Sequence, residues 1–162
     1  MQNAGAVTTN SSELASKAKA FFDREFIVIH NGIDAKHFKP FVKNETLAES
    51  LGLKILDSDS LLSNVGEQAP RLQNNLVVGF VGELREKKGL QTLLNAYAQN
   101  NTQLRAALLI IGEVRAGEDK KVFEEFVQAN PTAKIVVTGY ISATDLPVYY
   151  SLIDVFVHPS LR

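Results

Sequence analysis

"VVGFVGELREKKGL", residues 77–90, is the stretch whose reading decides the fold. An apolar run from Val77 to Val81 ends on Gly82, and charge then crowds in at Glu83, Arg85, Glu86, Lys87 and Lys88. Gly89 follows, and apolar spacing resumes at Leu90. A short apolar run bounded by glycine reads as a buried strand, and recurrence every three or four residues reads as an amphipathic helix. The stretch therefore predicts a strand, a charged turn and a helix. Two readings of the turn compete. Its charges are the solvated rim of a connection, or they await an anion at the helix entrance, where backbone N–H groups and the helix dipole favour negative charge.

Working outward, Leu90, Leu93, Leu94 and Tyr97 make a helical stripe, and "AALLIIG" (106–112) reads as a doubly buried strand. Residues 117–129 place Val122, Phe123, Phe126 and Val127 at helical spacing, with Pro131 just past the end. "KIVVTG" (134–139) is a third strand. Thr144 is a candidate cap for a helix holding Leu146, Val148, Tyr149 and Leu152, and Pro147 is tolerated in its first turn. "DVFVHPS" (154–160) is a fourth strand. Strands alternating with helices predict an α/β fold, a partial doubly wound, Rossmann-like parallel sheet covered on both faces. Right-handed crossovers give the order 3-2-1-4. That order sets the first and fourth strands side by side, so the Gly82 turn and "HPSLR" (158–162) flank the switch point where such sheets bind ligands.

Upstream the pattern is less regular. Asn10 and Glu13 stand at capping-box spacing before Leu14, Ala15, Ala18 and Phe21 or Phe22. Phe26 to Ile29 read as a short strand, and Asn31-Gly32 as a tight turn needing positive φ. Asp34 to Pro40 reads as irregular. "NETLAESLGL" (44–53) is a short helix closed by Gly52, and residues 54–75 are a long loop with a helical turn.

Composition narrows the function classes. The 162 residues suffice for one domain with a core, and a formal net charge of -1 argues against a nucleic-acid partner. Cysteine is absent, which excludes disulfide and thiolate chemistry. No apolar run reaches membrane-spanning length, and "MQNAGAVTTN" lacks the basic and apolar regions of a signal peptide, so the expected localisation is cytoplasmic. His30, His37 and His158 form no metal-ligand spacing; His158 lies nearest the switch point. Asp145 and Asp154 read as helix-start and strand-entry residues.

At the switch point Gly82 lets a ligand approach the backbone, Arg85 offers a bidentate fork and Lys88 a point charge. Glu83 and Glu86 oppose a bare phosphate. The turn is neither Gly-x-Gly-x-x-Gly nor a Walker A loop.

Four ordered stretches carry a resemblance. "VTTNSSELASKAKAFF" (7–22), "VIHNGIDAKHFKP" (28–40), "VGFVGELREKKGLQTLLNAYA" (78–98) and "VVTGYISATDLPVYYSLIDVFVHPSLR" (136–162) together resemble the C-terminal half of the retaining glycosyltransferase family 4, of GT-B fold. The resemblance implies residues 1–33 as the end of an N-domain with its hinge at Asn31 and Gly32. It implies residues 34–75 as a connecting helix and long loop, and residues 76–162 as the first part of a nucleotide-sugar-binding domain. It implies transfer of a sugar from a nucleotide-diphosphate-sugar donor, with the diphosphate held at Gly82, Arg85 and Lys88 and no metal or other cofactor required. Lys88 matches the family's lysine, whereas Glu83 stands where the family has arginine, leaving Arg85 as the candidate replacement. Glu83, His158 and Ser160 are further candidate donor contacts, and Tyr140 and Ile141 match the turn that borders the base.

The family's pair of glutamates seven residues apart would follow "PSLR", so the resemblance implies a piece truncated before that motif and inactive alone. Expected partners are the nucleotide-sugar donor and an unnamed acceptor. Peripheral membrane association is expected only through the remainder of the N-domain, and self-association through the apolar edge of the fourth strand. The alternatives are a non-catalytic nucleotide-binding or partner module completing a site with another chain, a GT-B sugar epimerase, and an unrelated doubly wound domain with a solvated loop.

Overall fold

The computed structural model describes residues 4–53, 76–104 and 106–160, so the loop expected over 54–75 lies outside the described residues. They fall into two compact units divided after Phe38.

In the first unit, β1 (Thr8–Thr9) pairs in parallel with β2 (Ile27–Val28), connected through α1 (Ser12–Lys19). The cap of α1 is Ser11, whose hydroxyl accepts from the Leu14 N–H at 3.2 Å, not Asn10 as the spacing suggested. Glu13 instead pairs with Lys17 at 2.5 Å, one helical turn on. Of the expected apolar face only Ala15 is buried; Leu14, Phe21 and Phe22 are exposed. The turn expected at Asn31-Gly32 is also displaced. Gly32 does not take positive φ, and residues 31–34 run without a turn. The reversal comes at Asp34, whose carboxylate accepts from the Lys36 N–H at 2.9 Å while its carbonyl accepts from Phe38 at 2.8 Å. An aspartate side chain that mimics a backbone turn out-competes the glycine two residues earlier.

The second unit holds a parallel sheet in the order β5-β4-β3-β6, formed by β3 (Val77–Val81), β4 (Ala107–Ile111), β5 (Lys134–Val137) and β6 (Val155–Phe156). This is the 3-2-1-4 order that the alternation and crossover rule predict. Side-chain alternation splits the core into two clusters. Val78, Phe80, Leu108 and Ile110 face α3 (Leu90–Leu104) and α4 (Glu118–Ala129), meeting Leu90, Leu93, Leu94 and Tyr97 of the former and Val122, Phe123 and Phe126 of the latter. Val77, Val81, Leu109 and Ile111 face the opposite way, against Ala48 of α2 (Glu45–Ser50), Leu53, Leu152 and Tyr149 of α5 (Leu146–Tyr150). Burying each such aliphatic or aromatic side chain contributes roughly 1.5–3 kcal/mol. Every residue of β4 is buried, as its unbroken apolar run requires. Val127, expected in the α4 stripe, is 40% exposed, because Val122, Phe123 and Phe126 already fill the face turned to the sheet.

Local chemistry sets the element ends. Asn44 caps α2 by accepting from the Leu47 N–H at 2.9 Å, and Gly52 closes it at φ 65. The Gly52 and Leu53 N–H groups donate to Glu49 and Ala48, a Schellman arrangement. Thr144 does not cap α5. The Ser142 hydroxyl accepts from the Asp145 N–H at 3.2 Å and donates to its carboxylate at 2.8 Å, which holds the turn before the helix. Asp154 fastens β6 to β3: its N–H donates to the Val77 carbonyl at 2.9 Å, its carboxylate accepts from the Val77 N–H at 2.8 Å, and Lys43 completes the pair. The fourth strand is shorter than expected, Val155–Phe156, with one further bond from the Val157 N–H to Gly79. Pro159 has no N–H to extend the ladder.

Candidate functional site

β3 and β6 are neighbours, paired through Val78–Val155 and Gly79–Phe156, so their carboxyl ends open side by side. Beyond β3 the chain stays in register with β4. The Gly82 N–H donates to Ile111, the Leu84 N–H to Glu113, and the Arg115 N–H to Leu84. Gly82 adopts φ 128, and the space a side chain would enter is open. Its N–H is committed to the ladder, however, so what it offers a ligand is an unobstructed Cα face and not a donor. On its other side, Gly112 lets the two strands close: a Cβ there would lie 2.3 Å from the Gly82 carbonyl oxygen.

After Leu84, which is fully buried, Arg85 is extended and enters a single 3-10 turn, Glu86–Lys88. The Arg85 carbonyl accepts from the Lys88 and Leu90 N–H groups, and the Glu86 N–H donates to the Asp119 carboxylate at 2.9 Å. Gly89, at φ 80, then starts α3 directly against the corner after β6, where Pro159 meets it and the Ser160 hydroxyl lies 3.4 Å from the Lys87 carbonyl. The turn bearing Lys88 and the Pro159–Ser160 corner thus share one place.

A crevice of 340 Å³ opens at the carboxyl ends of β3, β4 and β5, lined by Val81, Gly82 and Glu83, by Ile111, Gly112 and Glu113, and by Tyr140, Ile141 and Leu146. It brings together Gly82, Glu83, Tyr140 and Ile141 from the sequence-derived set. Tyr140 stands 80% exposed at its rim, whereas Ile141 packs into the second core cluster. Arg85, Lys88, His158 and Ser160 are not among its lining residues. Lys88 is half-buried on the turn. Arg85 Nε lies 3.4 Å from the Glu83 carboxylate. His158 is exposed, its ring parallel to those of Phe80 and Phe156 at 6.2 and 6.4 Å. Asn31 and Gly32 belong to the first unit.

Sequence reasoning missed Glu113, Gly112 and Asp119. The signal for Gly112 was present, since it stops β4 as Gly82 stops β3; nothing local marked Asp119 as the partner of a loop 33 residues away. A second crevice of 630 Å³ shares Glu83 and Glu113 and adds Arg115, Lys120 and Phe123. Among the described residues no group of His, Asp and Glu could hold a metal ion, and no helix is long and apolar enough to cross a membrane.

A sheet of this order, with a glycine-flanked cationic turn at its switch point, also has known relatives. The family model for glycosyl transferases group 1 matches residues 63–162, more than half of the sequence. The chain belongs to that family. Among relatives of this group 1 chain is a GDP-mannose-dependent alpha-mannosyltransferase of Corynebacterium glutamicum, 32% identical over 83 residues, which are 51% of this chain and 17% of that protein. Among solved structures, Anabaena Alr3699/HepE in complex with UDP and glucose superposes with a TM-score of 0.68 at 22% identity, over 96% of this chain and 38% of that one. The C-terminal domain of the Francisella tularensis group 1 protein LpcC gives 0.57 at 18% identity, over 80% and 59%. These two likenesses establish the fold, that of a GT-B glycosyltransferase domain. The group 1 chain spans less than two thirds of each of these proteins.

Proposed function

We propose that this chain binds the diphosphate of a nucleotide-sugar at the β3–β6 switch point, as the donor-binding part of a retaining glycosyltransferase of family 4. The observation that carries the reading is the parallel pairing of β3 with β6, which sets the Lys88 turn against the Pro159–Ser160 corner. Lys88 and Arg85 hold the diphosphate and offset the charge that grows on the leaving group, without a metal. Gly82 gives the ligand room. Tyr140 and Ile141, at the far side of the 340 Å³ crevice, border the base, while Glu83, His158 and Ser160 are the remaining contacts to the donor. Asn31 and Gly32 are the hinge toward the rest of the enzyme. Retaining transfer needs donor and acceptor closed between two domains, and this chain spans a minor share of the relative with which it shares 32% identity. It therefore binds donor without transferring sugar on its own.

The test is a calorimetric titration with uridine, guanosine and adenosine diphosphates, alongside a transfer assay with the corresponding nucleotide-sugars. Binding that Lys88→Ala weakens about tenfold or more, as loss of a charge-assisted contact requires, supports the reading. Absence of binding by all three nucleotides, or binding indifferent to both Lys88→Ala and Arg85→Ala, removes it.

A further inference from the structure

We infer that Glu83 is a positioning residue for Arg85: it holds the guanidinium by its Nε edge and leaves the terminal nitrogens to face the phosphates of the ligand. The inference rests on the reading of the switch point as a nucleoside-diphosphate site.

The backbone puts the two residues on one face. Leu84 between them is fully buried and bonded on both sides, through its N–H to Glu113 and its carbonyl to Arg115. Along extended chain the residues flanking such a position project together to the opposite face. Glu83 lines the crevice, and Arg85, on the same face, stands just outside its lining, toward the Lys88 turn. The root of the Arg85 side chain is also fixed. Its carbonyl takes the Lys88 and Leu90 N–H groups, and the next residue is tied to Asp119.

What remains free is the long side chain itself, and ordering it is a cost that falls on ligand binding unless something orders it first. Glu83 is placed to do that. Arg85 Nε lies 3.4 Å from Glu83 Oε2, too long for a good hydrogen bond but within ion-pair range. That nitrogen is buried with no hydrogen-bond partner, although the side chain as a whole is 32% exposed. A desolvated guanidinium N–H needs an acceptor or counter-charge beside it, and the Glu83 carboxylate is the group placed there. With the Nε edge so occupied, the terminal N–H groups form the fork that matches two phosphate oxygens.

The sign of the effect separates this from simple repulsion. A carboxylate beside an anion site should weaken the site by its charge, whereas a positioning carboxylate strengthens it through the arginine. The chain would be titrated calorimetrically with uridine, guanosine and adenosine diphosphates as wild type, Glu83→Ala, Glu83→Gln, Arg85→Ala and the Glu83→Ala/Arg85→Ala double variant. Glu83→Ala is expected to weaken binding about tenfold, the scale of one charge-assisted contact. Glu83→Gln, whose amide oxygen can still accept from Nε, keeps most of the affinity, and once Arg85 is absent the loss of Glu83 weakens nothing further. Tighter binding by Glu83→Ala, or an equal loss with and without Arg85, overturns the inference. In the unliganded protein, exchange of the Arg85 Nε proton measured by NMR should quicken in Glu83→Ala; unchanged exchange overturns the pairing whatever the nucleotides do. If the wild type binds none of the three nucleotides, the site reading fails and the ligand half of the inference with it, while proton exchange still decides whether Glu83 holds Arg85.

Discussion

Gly89 and Pro159 are in backbone contact: a Cβ on Gly89 would lie 2.2 Å from the Pro159 carbonyl oxygen and 2.8 Å from its carbonyl carbon. This contact joins the start of α3 to the corner after β6, across 70 residues of sequence, and no other residue type fits it. Gly89 also sits at φ 80, where an L side chain costs roughly 1–2 kcal/mol before any clash. Gly89→Ala is therefore expected to destabilise the protein by more than about 2 kcal/mol, whereas Gly82→Ala, at φ 128 with open space before it, incurs the backbone cost alone. Urea unfolding midpoints of the two variants check the difference. Equal losses would mean that Pro159 yields freely.

Asp154 is the clasp between the edge strand and the sheet. It is bonded to Val77 through both its N–H and its carboxylate, and Lys43 pairs with the other carboxylate oxygen. Asp154→Ala strands a strand-edge N–H and a half-buried ammonium, and should cost about 2–3 kcal/mol. Asp154→Asn retains an acceptor for Val77 and should lose less. The same denaturation series reads both, and protection of the Val157 amide, which donates to Gly79, in hydrogen exchange reports whether β6 has come away.

The Tyr97 hydroxyl lies 2.8 Å from the Ala106 carbonyl and 3.0 Å from that of Lys134, fastening α3 to the starts of β4 and β5. Tyr97→Phe is expected to cost about 1 kcal/mol near neutral pH. Burial pushes the Tyr97 hydroxyl above its ordinary value of 10.0. A raised folded-state value means that the stabilisation is fully present below about pH 10 and is lost as pH climbs through the raised value. The advantage of the wild type over Tyr97→Phe should therefore shrink on the alkaline side only, in urea midpoints compared from about pH 8 upward.

Among the described residues β6 pairs with β3 alone, and Val155 and Phe156 are 48% and 50% exposed. An apolar edge of this kind is a template for another strand. We expect the chain to associate as its concentration rises in sedimentation velocity, and Phe156→Lys to shift it toward monomer. A wild type that stays monomeric throughout would dismiss the edge as an interface.

The sequence by itself determined the layered α/β architecture. Apolar period, glycine stops and helix spacing are local signals, and the crossover rule converts their order into the strand order β5-β4-β3-β6. It also marked Gly82 and Gly89 as special and set their loop at the switch point. Tertiary structure alone decided which of several chemically equivalent neighbours acts. Ser11 caps in place of Asn10, Ser142 and not Thr144 fixes the turn before α5, and Asp34 makes the turn expected of Gly32. It alone brought Pro159 onto Gly89, Glu113 into the crevice and Asp119 to Glu86. The reason is physical: propensity is a property of a few adjacent residues, whereas a hydrogen-bond partner or a close contact is settled by which distant segment arrives, and at what distance.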